Sequence, residues 1–267
     1  MGVELIIPIE ELKKSIRVNL KKSESTNFLL AFKEQDGQTL ICSFDNKMGK
    51  KKEIQVLKLN NDVFSLNRKV KDQLRFIITP TGEIYDSSVK NLENIDNSLK
   101  ILMILESPHK DEYYYSYGYY SIRPANGKTG KKIKKHIKQV LSNIKKLNEA
   151  NSFEYCEKYI EIVIMNRICY QTSLGSYYSE KLRKPLRNNI FKVLWEEENI
   201  QKDFKERLLK QKVHLVINAC TKEVDEDDCY FSNFILDVLK KNNRNTLLFE
   251  SRHPMYWETD SGIKRIN

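Results

Sequence analysis

The chain has little cysteine and does not use it in pairs. Its five cysteines (Cys42, Cys156, Cys169, Cys220 and Cys229) are scattered, odd in number and nowhere spaced as C-x-x-C. That pattern excludes a disulfide framework and the usual zinc and iron–sulfur arrangements, and it points to buried thiols in a reducing compartment. No apolar run approaches the ~20 residues needed to span a bilayer. The start, MGVELIIPIEELKK, lacks a basic segment followed by a long apolar one. It does not read as a signal peptide, so a cytoplasmic location is expected. No internal repeat is visible. A Walker A loop is missing too: Asn126-Gly127-Lys128-Thr129-Gly130 has two residues between its glycines, where that loop has four. ATP, a metal and any other small-molecule cofactor are therefore not expected.

What is present is a core and a surplus of positive charge. The 267 residues are 40% hydrophobic and 31% charged, a balance that folds and does not stay disordered. The formal charge is +10, which favours a polyanionic partner because cations near phosphates release condensed counterions. A merely solvated lysine-rich surface would give the same count.

Two textures divide the chain. Residues 1–95 carry short segments (TNFLLAF, TLICSF, EIQVLKL and LRFIITP) separated by turn-prone stretches such as KEQDGQ and DNKMGKK. This predicts a β-rich, antiparallel N-terminal region, with EELKKSIRVNLKK readable as helix or strand. Residues 96–267 alternate short apolar runs with long helical ones. The runs are ILMIL (101–105), IEIVIM (160–165), HLVINA (214–219) and TLLFE (246–250). The helical segments are GKKIKKHIKQVLSNIKKLN, LRNNIFKVLWEEENIQKDFKERLLKQK and FSNFILDVLKKNN. Strands buried on both faces and joined by helices predict an α/β fold, a three-layer α/β/α sandwich around a four-stranded parallel sheet.

Ligands of such folds bind beyond the carboxyl ends of the strands. Each run leads into a polar cluster there: Glu106-Ser107-Pro108-His109-Lys110-Asp111-Glu112, Asn166-Arg167-Ile168-Cys169-Tyr170-Gln171, Asn218-Ala219-Cys220-Thr221 and Glu250-Ser251-Arg252-His253-Pro254. One such cluster is ordinary turn chemistry. Four at one edge predict a site.

ILMILESPHKDE resembles the first motif of the uracil-DNA glycosylase superfamily, a strand followed by G-Q-D-P-Y or G-E-A-P-G. RPANGKTGKKI is similar to the Gly-x-x-Gly turn that opens the next helix in some branches. VIMNRICYQT resembles the following strand, and FESRHPMYW the last motif, H-P-S. All occur in family order between residues 100 and 257. The resemblance implies a monofunctional DNA glycosylase that flips a pyrimidine-type base out of DNA and hydrolyses its N-glycosidic bond. Such an enzyme would be expected to act as a monomer, in repair or in defence against foreign DNA. Asn166 would read the base edge, since an amide offers a donor and an acceptor. His253 would donate to the carbonyl oxygen where charge develops. Glu106 matches the motif residue that contacts the base.

Ser107 stands where the best-known branch has a water-positioning aspartate, so Glu106, Asp111, Glu112 or backbone carbonyls must do that work. Leu105 replaces a glycine. His109 replaces a tyrosine that excludes thymine in one branch, so the base need not be uracil. Tyr113 opens the run YYYSYGYY, which lines the pocket or stacks on bases, or else packs internally. Gly127, Lys128, Thr129, Gly130 and Lys131, with Lys132, Lys134 and Lys135, would meet phosphate at a helix start or form a solvated face. Arg252, Met255 and Tyr256 would press into the duplex, with Trp257 either wedge or core. A non-catalytic base reader on the same fold and a nucleoside hydrolase are the rival readings.

Overall fold

The computed structural model describes residues 70–87, 97–115, 119–148, 158–169, 198–221 and 229–267. To these it adds the strands of an N-terminal sheet between 29 and 65, and the single positions 95, 188, 191, 192, 195 and 196. The predicted helix or strand at 10–22 lies outside the described residues, as do Tyr170, Gln171 and the side chains of the tyrosine run.

The N-terminal sheet is an antiparallel meander of β1 (Leu29–Gln35), β2 (Thr39–Asp45), β3 (Lys52–Asn60) and β4 (Val63–Ser65), in that order. Three of its strands fall on the alternating segments TNFLLAF, TLICSF and EIQVLKL.

The second sheet is larger than the four strands expected. It contains β5 (Gln73–Ile78), β6 (Ile84–Asp86), β7 (Leu99–Leu105), β10 (Ile160–Asn166), β11 (Leu215–Asn218), β12 (Leu247–Glu250) and β13 (Lys264–Arg265). Its seven strands run in the order β13-β12-β11-β7-β10-β5-β6. The four expected strands form its centre, and β12, β11, β7 and β10 are parallel to one another. Antiparallel strands close both edges, β5 and β6 on β10 and β13 on β12. The apolar run LRFIITP, assigned above to the N-terminal region, is thus β5 of this sheet. The last strand of the N-terminal sheet ends at Ser65 and the first of the larger sheet begins at Gln73. An apolar run shows that a strand is buried but not which neighbour it takes, and covering the edge of β10 is what places it here.

The sheet is buried on both faces, which is why its strands read as unbroken apolar runs. Ile101, Met103, Leu105, Ile160, Ile162, Ile164, Leu215, Ile217 and Phe249 form one continuous core with α1 (Lys128–Leu147). That helix turns Ile133, Ile137, Val140, Leu141 and Ile144 inward at helical spacing and its lysines outward. Residues of opposite parity (Leu102, Ile104, Met165, Val216 and Leu248) are equally buried. On their side Ser232 of α3 (Tyr230–Lys241) bonds both Asn218 and Glu250. There Phe204 of α2 (Glu198–Lys210) packs edge-on with Trp195 and tilted against Phe231. Among the described residues no helix is long and apolar enough to cross a membrane.

The segment entering α1 is tightly drawn. Ala125 takes a left-handed conformation (φ 52°), and a β-carbon on Gly130 would collide with the Ala125 carbonyl oxygen. Helix propensity alone credits Gly→Ala with ~1 kcal/mol. Overpacking against rigid backbone costs about 1–3 kcal/mol and wins. Gly130→Ala is therefore expected to lower the unfolding free energy by up to about 2 kcal/mol in urea denaturation. A gain in stability would contradict the close approach.

Candidate base-reading site

Parallel pairing sets Leu105 beside Asn166, and Asn218 beside both Ile104 and Glu250. The four strands therefore end within about one residue of a common line. Asn166, the last residue of β10, is 1% exposed. Its Nδ2 donates to Oε2 of Glu112 at 3.4 Å, and its Oδ1 is buried without a hydrogen-bond partner among the described residues. A buried orphan of this kind costs about 1–3 kcal/mol.

Glu112 closes a 3₁₀ turn (Lys110–Glu112) that follows β7 and is itself buried. The turn bends the chain back, so that the His109 N–H donates to Oε1 of Glu112 at 3.3 Å. The Ala125 N–H bonds the same carboxyl, which gives the left-handed Ala125 a use. Burial pushes the Glu112 carboxyl up to about 7, although these donors and the charge of Arg75 oppose it.

Arg75 reaches this place through a β-bulge. The pairing of β10 with β5 slips between Ile162 and Val163, leaving Arg75 as the extra residue. Its Nε donates to the Pro124 carbonyl at 3.0 Å and its Nη1 to Asp86 at 2.7 Å. Arg123 bonds Asp86 and Asn126, and Asn126 Nδ2 donates to the Asp111 carbonyl. The motif-one loop is thereby tied to β5, β6 and the start of α1. From α2, Arg207 donates to the carbonyls of Asn166 (3.0 Å) and Arg167 (3.3 Å), braced by Asp72 and Asp203. The buried Arg167 guanidinium lies 3.9 Å from the Phe231 ring centre and 4.1 Å from that of Trp195.

The remaining expected residues fall into separate places. Glu106 is buried, and its carbonyl accepts from the Ile168 N–H. Ser107 is partly exposed. The expected acid Asp111 does not face Asn166. It is half-exposed, packs on Gly127 and lies 3.4 Å from His109, whose ring is exposed. Acidic charge near the start of α1 suits the helix dipole. Gly127 and Gly130 thus have packing reasons. Lys128 and Lys131 are exposed and Thr129 partly so. Lys132 and Lys135 bind Glu258, whose carboxyl they pull down to about 2. Tyr113 begins a ribbon of β8 (Tyr113–Tyr115) and β9 (Tyr119–Ser121) directly after Glu112.

His253 caps a 3₁₀ turn (Pro254–Tyr256) that packs on α1, the same side of the sheet as Asn166. Its Nδ1 accepts from the Met255 N–H at 3.4 Å, so the neutral ring carries its proton on Nε2. Met255 and Tyr256 are exposed, whereas Trp257 is core, with its Nε1 on the Arg252 carbonyl at 2.7 Å. Arg252 is exposed and pairs with Asp260. Asn218 and Glu250 satisfy each other through Ser232, with Lys264 on Glu250. That cluster is turn chemistry. Among the described residues no group of three or more His, Cys, Asp or Glu is arranged to hold a metal. No protein-family model matches the chain, and no curated protein or solved structure matches it either.

The raised Glu112 value has a thermodynamic signature. Between its ordinary 4.5 and about 7 the folded protein keeps a proton that the unfolded chain has released. Stability therefore falls as pH rises through that window and is flat above it, by something on the order of 3 kcal/mol in all. Glu112→Gln is expected to remove this decline in urea denaturation followed from pH 4.5 to 8. An identical pH slope in both proteins would contradict the buried, proton-retaining carboxyl.

Proposed function

We propose that the chain is a DNA glycosylase acting on a flipped-out uracil or modified pyrimidine. It hydrolyses the N-glycosidic bond and leaves an abasic site, in repair or in defence against foreign DNA. The observation that carries this reading is the Asn166 amide. It stands at the carboxyl end of a central parallel strand with its acceptor buried and unpartnered among the described residues. A base edge supplies what that oxygen lacks. The order of the four motifs and the helices on both faces of the sheet fit the uracil-DNA glycosylase-like α/β/α sandwich.

In this reading Asn166 holds the base edge while His253 Nε2–H faces the carbonyl oxygen that gains charge as the bond to C1′ breaks. Water adds to C1′, held by the Glu106 carboxyl, and one of its protons ends on the departing base. Met255 and Tyr256 fill the gap in the stack, and the +10 chain meets the phosphates. Because Asn166 is almost wholly buried, the segments covering it must open before a base can reach it.

Oligonucleotides carrying uracil, hypoxanthine, 5-hydroxymethylcytosine or its glucosylated form, followed by alkali cleavage, test the proposal. At least one should yield abasic sites. Asn166→Ala and His253→Ala should each slow cleavage about 10²–10³-fold, with cooperative unfolding retained. Tight DNA binding without an abasic site from any substrate would instead make the chain a non-catalytic base reader.

A further inference from the structure

We propose that Glu112 is a positioning residue that fixes which end of the Asn166 amide faces the ligand, and so selects bases that present an N–H to this edge. This rests on the base-reading role of Asn166, but not on the chemistry that follows. A carboxylate has only acceptors, so the atom facing it must be Nδ2. Oδ1 is then turned away from Glu112, where it finds no other donor among the described residues. Glu112 is held beside the amide from elsewhere in the chain. Its carboxyl is held by backbone N–H groups from two segments, His109 on its own turn and Ala125 ahead of α1. The matching ligand edge is a ring imide N–H, as in uracil. A ring nitrogen that only accepts would meet Oδ1 lone pair to lone pair.

The selection depends on the proton. With Glu112 protonated on Oε2, its O–H becomes the donor toward Asn166. The amide then turns over and shows Nδ2 to the ligand. Arg75 of β5 is the cation whose field reaches Glu112 and favours the charged form. Asp86 of β6 neutralises it, and Arg123 shares that carboxylate. On the turn itself His109 Nδ1 accepts from the Asp111 N–H and lies 3.4 Å from the Asp111 carboxylate. Burial near neutrality places the reversal close to pH 7. Glu112→Gln mimics the protonated state permanently: its carbonyl takes the backbone donors and its amide faces Asn166.

The experiment measures binding of single-stranded oligonucleotides with one 2′-fluoro nucleotide that resists hydrolysis. The base is either uracil or 2-pyrimidinone, whose N3 only accepts and which has no 4-substituent. At pH 8 the wild-type protein should bind the uracil probe at least tenfold more tightly, and the ratio should fall toward or below one by pH 5.5. Glu112→Gln should show the low ratio at both pH values, with Kd moving in opposite directions for the two probes. Equal ratios at both pH values in the wild-type protein would overturn the proposal, even if the variant does not fold. Failure of either probe to bind in preference to undamaged strand would overturn it as well. A pH-dependent preference with no abasic site from ordinary sugars would keep the Glu112 role and remove the glycosylase reading.

Discussion

A carboxyl group shut off from water must find its donors in the protein, and the carboxyl edge of this sheet is arranged around that demand. Glu112 is buried at the end of a three-residue turn, where its charge would be costly if left alone. The turn supplies the His109 N–H, an unfavourable Ala125 conformation supplies another, and Asn166 supplies its amide. The bulge that re-aims Arg75 from β5 adds a compensating cation. Each of these features costs something alone. Together they set the Asn166 amide nitrogen against the Glu112 carboxyl at the end of a central strand.

The rest of the fold keeps that arrangement rigid. Arg207 grips the carbonyls on either side of the Asn166–Arg167 bond from the α2 side, while α1 presses its isoleucines on the other face. Arg167, between Phe231 and Trp195, anchors the strand end in an aromatic layer. The groove between α2 and α3 lined by Lys205, Leu209, Phe234, Asp237, Val238, Lys241 and Asn242 lies away from this edge. Ser232 near the start of α3 touches the strand ends, and the helix then runs on for about 13 Å to Lys241 at ~1.5 Å per residue.

Much of this was legible in the sequence for a physical reason. Strands covered on both faces must be apolar at every position, so ILMIL, IEIVIM and the two later runs declared themselves, as did the long amphipathic α1. Asn166 and His253 stood out only as polar residues that follow such runs, a position shared by Asn218 and Glu250, which instead bond Ser232. Partners distant in sequence were not readable. Nothing in LRFIITP says that it borders β10, and nothing in Glu258 says that it holds Lys132 and Lys135. The adjacent acids Asp111 and Glu112 look interchangeable as letters, and only the 3₁₀ turn decides that one faces the α1 start and the other faces Asn166. Ala125 and Arg75 carry no sequence signal for a left-handed residue or a bulge.

In the proposed function a base edge meets the Asn166 oxygen while Glu112 retains the nitrogen. The most direct measurement is a crystal structure with DNA bearing one non-hydrolysable 2′-fluorodeoxyuridine. The expected result is an extruded base with its ring N–H about 2.7–3.2 Å from Asn166 Oδ1, His253 Nε2 near a base carbonyl, and Asn166 Nδ2 still on Glu112. A uracil left stacked in the DNA, or bound with Asn166 untouched, would contradict it.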